Sequence, residues 1–523
     1  MYRGLPVAGG GVSRQRVGTE TVSAFGLIYT GIDLPFQPQL SAVAVTTAAA
    51  TAAQVAPDSV VTLVVLPELF GGYRLTYRAA MTDGHIRFLD ANTGDVLRTD
   101  QAYSHQSAVG TGQGVHGDSK KLSVTRVGSV FESRDQLRPA QTVTRSTQGT
   151  NATLEALFGG AGTIVTDSDN VWANPALVDA HVNAGLTYDY FHQRHGWQGV
   201  DGENSTHFQV VVDRASLENN AFFLQPSGAS GSGLAAFGVS GAGVPITPID
   251  VVGHELMHGV TFFSMRKRTG RGLSSAISPD GVGPTDAISG SQTLPCTRAI
   301  VTFSDGSSAP FFCLNGQYAL VSNPGGATNE GFADVFGTAV EFFHQQPGTA
   351  ALRADYLIAE DTAVGGPPAF QGWRSLNNPS ALAVEPTGTI RYPDHFSIRL
   401  RYPLVVVGNT LTPVPFPIVN GRFVTTSVDN GGVHYNATIF GHIFYLAVEG
   451  GQNRTSGQSV QGVGAANRAQ IERVFFRAMT VLMPEFVSFP TVGLVLRQAA
   501  IDLYGSGSAP HRAVDQAASA AGL

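Results

Sequence analysis

The pentapeptide His254-Glu255-Leu256-Met257-His258 constrains this chain more tightly than any other stretch of it. Side chains four residues apart share one helix face, so both imidazoles can bind a single metal ion while Glu255 projects beside them. Apolar Ile249, Val251, Val252 and Val260 surround the pattern. They predict a helix buried along one face, not a surface helix with two stray histidines. A catalytic zinc needs a third protein ligand and a position left open for water. Asn329-Glu330-Gly331-Phe332-Ala333-Asp334 offers that ligand on a second helix. Glu330 and Asp334 are again four apart, so one can bind metal while the other accepts the free imidazole N–H of a ligand and fixes its tautomer. Alone, this pair would read as two solvated acids.

The rest of the chain narrows the setting. At 523 residues it exceeds one core and fits two to four domains. Its 43% apolar content and only 14% charged residues exclude disorder as the default state. The net charge of −7 leaves no electrostatic footprint for nucleic acid. No run is long and apolar enough to span a membrane, and the opening Met1-Tyr-Arg-Gly-Leu-Pro lacks the core of a secretory signal. Cys296 and Cys313 are either two thiols or one disulfide, and spacing does not decide between them. Residues 1–105 alternate β-branched runs with turn signals, including a hairpin turning through Ala91-Asn-Thr-Gly-Asp. Residues 106–262 stay strand-rich, with one helix from Pro175 and another bearing the two histidines. Residues 263–325 gather Gly, Ser, Pro and both cysteines and read as an insertion. Residues 326–523 are helical, with elements over 329–345, 434–448, 467–482 and 489–503. The expected class is α+β, β-rich followed by α-rich, with an extra β-rich module in front.

Three ordered segments then carry a family likeness. Asp250-Val-Val-Gly-His-Glu-Leu-Met-His-Gly-Val, Gly326-Ala-Thr-Asn-Glu-Gly-Phe-Ala-Asp and Asp429-Asn-Gly-Gly-Val-His434 resemble the motifs of the thermolysin family of secreted zinc endopeptidases. The likeness runs from about Val109 to Leu523 and implies a β-rich N-terminal lobe and an α-helical C-terminal lobe with the zinc cleft between them. It implies one zinc on His254, His258 and Glu330, Asp334 behind a ligand histidine, and Glu255 as general base toward a metal-activated water. It implies His434 as oxyanion donor oriented by Asp429. Arg374 would grip a substrate carbonyl, and Asn220 with Ala221 would form the strand edge to which a peptide adds. Asp250, Glu341, Asp355 and Glu360 match a calcium site, and hard oxygens from separate segments suit calcium. Leu357 stands where a further acid is usual, which favours one ion over two; Asp167 and Asp169 resemble a second, loop-based site. Residues 1–105 resemble the later part of an inhibitory propeptide, including Phe88-Leu-Asp-Ala-Asn-Thr-Gly-Asp, so its start and a signal peptide are expected to be missing.

Two departures qualify the likeness. The 71 residues between His258 and Glu330 far exceed the family's usual link. The family's second oxyanion donor, a tyrosine, belongs in that link, and Tyr318 is the nearest candidate although its spacing is off. Trp373 and Pro245 replace aliphatic residues of the substrate pocket. The expected protein is a secreted, monomeric endopeptidase that cuts polypeptides before bulky apolar residues. Its own propeptide would inhibit it until self-cleavage near Ala102–Tyr103. Two rivals are weighed against this: a binding protein on a decayed peptidase scaffold, and a zinc aminopeptidase. Every catalytic position is filled, and no acidic amine-binding pair is visible.

Overall fold

The structure, a computed structural model, describes residues 1–17, 20–53, 61–68, 72–81, 85–101, 106–147, 163–204, 208–212, 217, 219–225, 233–362 and 372–523. Two units divide the chain, Met1–Gln106 and Ser107–Leu523.

In the first unit four antiparallel strands pair in chain order: Thr62–Pro67, Tyr73–Ala80, His85–Asp90 and Val96–Gln101. The expected hairpin is there. Asp90 Oδ1 accepts the N–H groups of Asn92 and Thr93 and closes its turn. Strand alternation sends Leu75, Tyr77 and Leu89 to one face, with Val45 of helix α1 (Ala42–Ala53), and Val64, Leu66 and Phe88 to the other.

The second unit opens with strands. One five-stranded sheet runs Thr163–Ile164, Val143–Ser146, Phe208–Val212, Gly233–Phe237, Ala221–Leu224, so the last of these is an edge. Helix α2 (Pro175–His195) packs on this lobe. Asn174 caps its first turn, Pro175 starts it, and Gly196 ends it in the left-handed region at φ 67°. Among the described residues, the remaining α-helices are α3 (Ile249–Thr269), α4 (Pro324–His344), α5 (Asp429–Glu449), α6 (Arg468–Arg477), α7 (Phe489–Tyr504) and α8 (Ala509–Ala520). One continuous core joins them, with Met257, Phe332, Phe336, Phe440, Phe444 and Phe475 all fully buried. Helices α3 and α4 touch backbone to backbone: a Cβ on Gly337 would lie 2.3 Å from the Asp250 carbonyl oxygen.

The segment expected as an insertion is itself a β structure, and it is not self-contained. Its first residues complete α3, and its last two begin α4. Between them, Gln317–Ser322 pairs on one side with Ser278–Val282 and on the other with Tyr402–Val407, from far along the chain. Arg422–Phe423 likewise joins Asp286–Ser289. A separate small core results, built from Cys296, Val301, Phe311, Tyr318 and Leu320 with Val405 and Val414. Cys296 and Cys313 are bridged across it, with Cα atoms 6.0 Å apart. The oxidised alternative is the one adopted.

Candidate active site

Helix α3 places His254 and His258 one turn apart, with their Nε2 atoms 3.1 Å from each other. Helix α4 brings Glu330 against both, Oε2 at 3.3 Å from His254 Nε2 and Oε1 at 3.7 Å from His258 Nε2. Zinc–ligand bonds of about 2.0–2.2 Å in a tetrahedron separate ligand atoms by about 3.3–3.6 Å. The three side chains fit that ion. Electrostatics agree: burial opposes a charge on His254, yet Asp334 and Glu330 overcome it and raise its pKa to about 10. Burial also pushes the Glu330 carboxyl up, but His434, His258 and His254 hold it well below its usual value. His258 goes the other way: burial lowers its pKa to about 4, although Glu330 opposes it.

The supporting groups lie behind this trio. Asp334 Oδ1 is 2.9 Å from His254 Nδ1, opposite the metal-facing nitrogen. Arg374 engages both oxygens of Asp334 and is 6% exposed. Glu255 is 4% exposed, and its Oε2 finds no hydrogen-bond partner among the described residues. Burial chiefly raises its carboxyl to about 7, with His254 opposing and Glu330 adding. A base poised there can take and return a proton near neutral pH.

His434 reaches the cleft from a strained turn. Asp429, Asn430, Gly431 and Gly432 have φ values of 48°, 47°, 86° and 78°, a run of left-handed residues ahead of the regular part of α5. Such a conformation costs roughly 1–2 kcal/mol for each residue with a Cβ, and Asp, Asn and Gly tolerate it best. The turn lets Asp429 bind His434 twice, Oδ1 at 2.6 Å from the ring Nδ1 and Oδ2 accepting the backbone N–H at 2.8 Å. Partial burial works against a charge on His434, but Glu330 and Asp429 outweigh it and raise the pKa. Its Nε2 lies 3.5 Å from Glu330 Oε2.

Asn220 and Ala221 line the same cleft, at the start of the edge strand. Phe223 crosses over α3 just after His258, where a Cβ on Gly259 would sit 3.1 Å from its ring. Phe262, Leu273 and Asn329 also line it. Asn329 and Leu273 were not singled out from sequence. Trp373 is half-buried against the main core.

Tyr318 corrects the expectation made for it. It is fully buried in the core of the inserted β structure, edge-on to Phe311 and Phe423, with its hydroxyl donated to the Leu294 carbonyl at 2.7 Å. No tyrosine lines the cleft among the described residues.

A second cluster lies where calcium was expected. Asp250, Glu341, Asp355 and Glu360 gather at the far end of α3 and α4, and Asp361, which sequence reading passed over, joins them. Oxygens of Glu341, Glu360 and Asp361 lie within 4.8 Å of one another. Burial drives the Asp250 carboxyl up to about 7 and those of Glu341 and Glu360 well above the usual range, each with neighbouring carboxylates adding. Both oxygens of Glu360 lack a hydrogen-bond partner among the described residues. Buried like charges with idle oxygens are what a hard cation satisfies. At the other expected site, Asp167 Oδ1 accepts the N–H groups of Asp169, Asn170 and Val171, and no third acid joins the pair among the described residues.

Comparison with known proteins identifies relatives of the chain. Residues 109–262 match the family model "Thermolysin metallopeptidase, catalytic domain", and residues 320–523 match "Thermolysin metallopeptidase, alpha-helical domain". The chain is 29% identical over 438 residues to a Bacillolysin of Brevibacillus brevis, covering 83% of this chain and 61% of that protein. It is 27% identical over 557 residues to a Thermolysin of Alicyclobacillus acidocaldarius, covering 100% and 82%. Among solved structures it matches the precursor of protealysin, a metalloproteinase from Serratia proteamaculans, at 20% identity and a TM-score of 0.45, covering 73% of this chain and 87% of that one.

Proposed function

We propose, from the premise that this chain belongs to the thermolysin metallopeptidase family, that it is a secreted zinc endopeptidase that cuts polypeptides before bulky apolar residues. Residues 1–105 would act as its inhibitory propeptide, removed by self-cleavage near Ala102–Tyr103, which lies outside the described residues. The observation that carries the reading is the convergence of His254, His258 and Glu330 beside a buried carboxylate, Glu255, that has an idle oxygen.

Zinc on those three side chains would lower the pKa of a water molecule and polarise the scissile carbonyl. The chain's own groups do the rest. A substrate adds as a strand alongside the edge strand Ala221–Leu224, with Asn220 and Ala221 registering its backbone. Glu255 accepts a proton from the attacking water and delivers it to the departing amine. His434, kept charged by Glu330 and Asp429, donates from Nε2 to the oxygen that gains charge. Arg374 spends Nε and Nη2 on Asp334, which leaves Nη1 as its donor toward a substrate carbonyl. Asp250, Glu341, Asp355, Glu360 and Asp361 would hold structural calcium.

The test combines metal analysis with a proteome-derived peptide library. One zinc per chain and chelator-sensitive internal cuts are expected. A folded, zinc-free preparation that cuts nothing would sink the reading, and release of single N-terminal residues would convert it to an aminopeptidase.

A further inference from the structure

Asn323 joins three parts of the second unit that sequence keeps far apart. It is fully buried and ends the strand Gln317–Ser322 of the inserted β structure. Its side-chain Oδ1 accepts the Gly326 N–H at 2.8 Å and so caps α4, the helix that carries Glu330. Its Nδ2 donates to Ser275 O at 2.9 Å and to Asn430 O at 3.0 Å, with Ser275 Oγ at 3.2 Å. Its backbone N–H donates to Gly431 O at 3.1 Å. The two carbonyls it satisfies in α5 thus belong to the middle of the left-handed run that presents His434. The amide orientation is fixed by its neighbours, because only Oδ1 can accept from Gly326.

Space around it is closed as well. A Cβ on Gly431 would lie 2.9 Å from Asn323 Cβ, and one on Gly326 would lie 2.9 Å from Nδ2. A left-handed run persists only where its surroundings over-determine it. Asp429 holds one end of the run, and Asn323 holds its middle, through its backbone N–H and its side chain, while also capping the helix that bears a proposed zinc ligand. We propose that Asn323 is a positioning residue that fixes His434 relative to Glu330, and that the inserted β structure braces this arrangement through it. The inference rests on the role given to His434 above.

Asn323→Asp separates its two duties: a carboxylate still caps α4, but it cannot donate to Asn430 O. Hydrogen exchange, zinc content and steady-state kinetics should be measured on the full chain. Expected are faster amide exchange over residues 429–434 with unchanged exchange over 326–334, and one zinc retained. kcat should fall about 10-fold or more, with KM within about twofold, as for loss of a preorganised oxyanion donor. In a His434→Ala background the same change should cost about twofold or less, because its effect runs through that ring. Equal losses in both backgrounds, loss of zinc, or unaltered exchange over 429–434 would each overturn the proposal. Asn323→Ser, whose hydroxyl can cap and donate in part, should fall between wild type and Asn323→Asp, and carries the same measurements if the latter does not fold. A wild type that cuts no peptide would defeat the functional reading instead, while the exchange data would still judge Asn323.

Discussion

Arg374 grips both oxygens of Asp334, Nε to Oδ2 and Nη2 to Oδ1, at 2.7 Å each, with neither side chain more than 8% exposed. Asp334 also faces His254 Nδ1, so one buried carboxylate is shared between a fixed cation and a metal-facing imidazole. Its charge is balanced before any metal arrives, and the imidazole is held with Nε2 toward Glu330. Removing the carboxylate therefore costs twice. Asp334→Ala should destabilise the fold by about 3–5 kcal/mol, because Arg374 is left buried and unpaired, and weaken zinc binding about 10–100-fold. Denaturant titration and chelator competition measure the two effects; wild-type zinc affinity would show that His254 needs no orienting partner.

Glu255→Gln leaves the three ligands untouched but removes the proton acceptor. It should keep one zinc per chain and lose at least about 10²–10⁴-fold in kcat. Expressed without other proteases, it should also stay at full length. A matured species on a denaturing gel would mean that another enzyme does the processing or that the base is elsewhere.

The acidic cluster makes stability depend on pH in a metal-dependent way. Burial raises the Asp250 carboxyl to about 7 and raises Glu341, Glu360 and Asp355 as well. Without calcium, the folded chain then holds protons that the unfolded chain releases. The cluster's contribution to stability is greatest below the ordinary carboxylate pKa and falls as pH rises from about 4 toward 7. Calcium should abolish that fall, adding about 2.7 kcal/mol at a hundredfold excess over Kd. Melting curves across this range, with chelator and with calcium, decide it. Parallel curves would show that the cluster binds no ion.

Alkylation without reductant should find no free thiol, since both cysteines are bridged. Replacing both by serine should cost about 3 kcal/mol in the inserted β structure, given a loop with a sequence separation of 17. Proteolysis of the reduced protein, mapped by mass spectrometry, should cut first within 278–322. Cuts elsewhere would mean that this region is held by its sheet pairings alone.

The two helices proposed to hold zinc were legible because their chemistry repeats within one turn, and the spacing of His254 to His258, or of Glu330 to Asp334, is enough to place each pair on one face. Long-range pairing was not. The partner strand of Gln317–Ser322 begins at Tyr402, and nothing local to either strand announces the other. That gap explains the misreading of Tyr318, whose neighbours are Phe311 of the inserted segment and Phe423 from about a hundred residues further on. Asp361 was passed over beside Glu360, because the 3-10 turn that brings both acids into one cluster is not encoded by a periodic pattern. Asn323 drew no notice in the sequence, because its bond to Asn430 O spans 107 positions of chain.

The contact between Gly337 and Asp250 bears on how this scaffold can diversify. A side chain at Gly337 would overlap the Asp250 carbonyl, and one at Gly253 would come 3.1 Å from Gly337 Cα. The gap between the two ligand-bearing helices is therefore set by main chain, and exchange of core residues cannot widen or narrow it. A lineage seeking a new substrate has to leave that axle alone and change what hangs around it. Leu273, on the cleft wall and outside both family-matched ranges, is the kind of place where such novelty can enter.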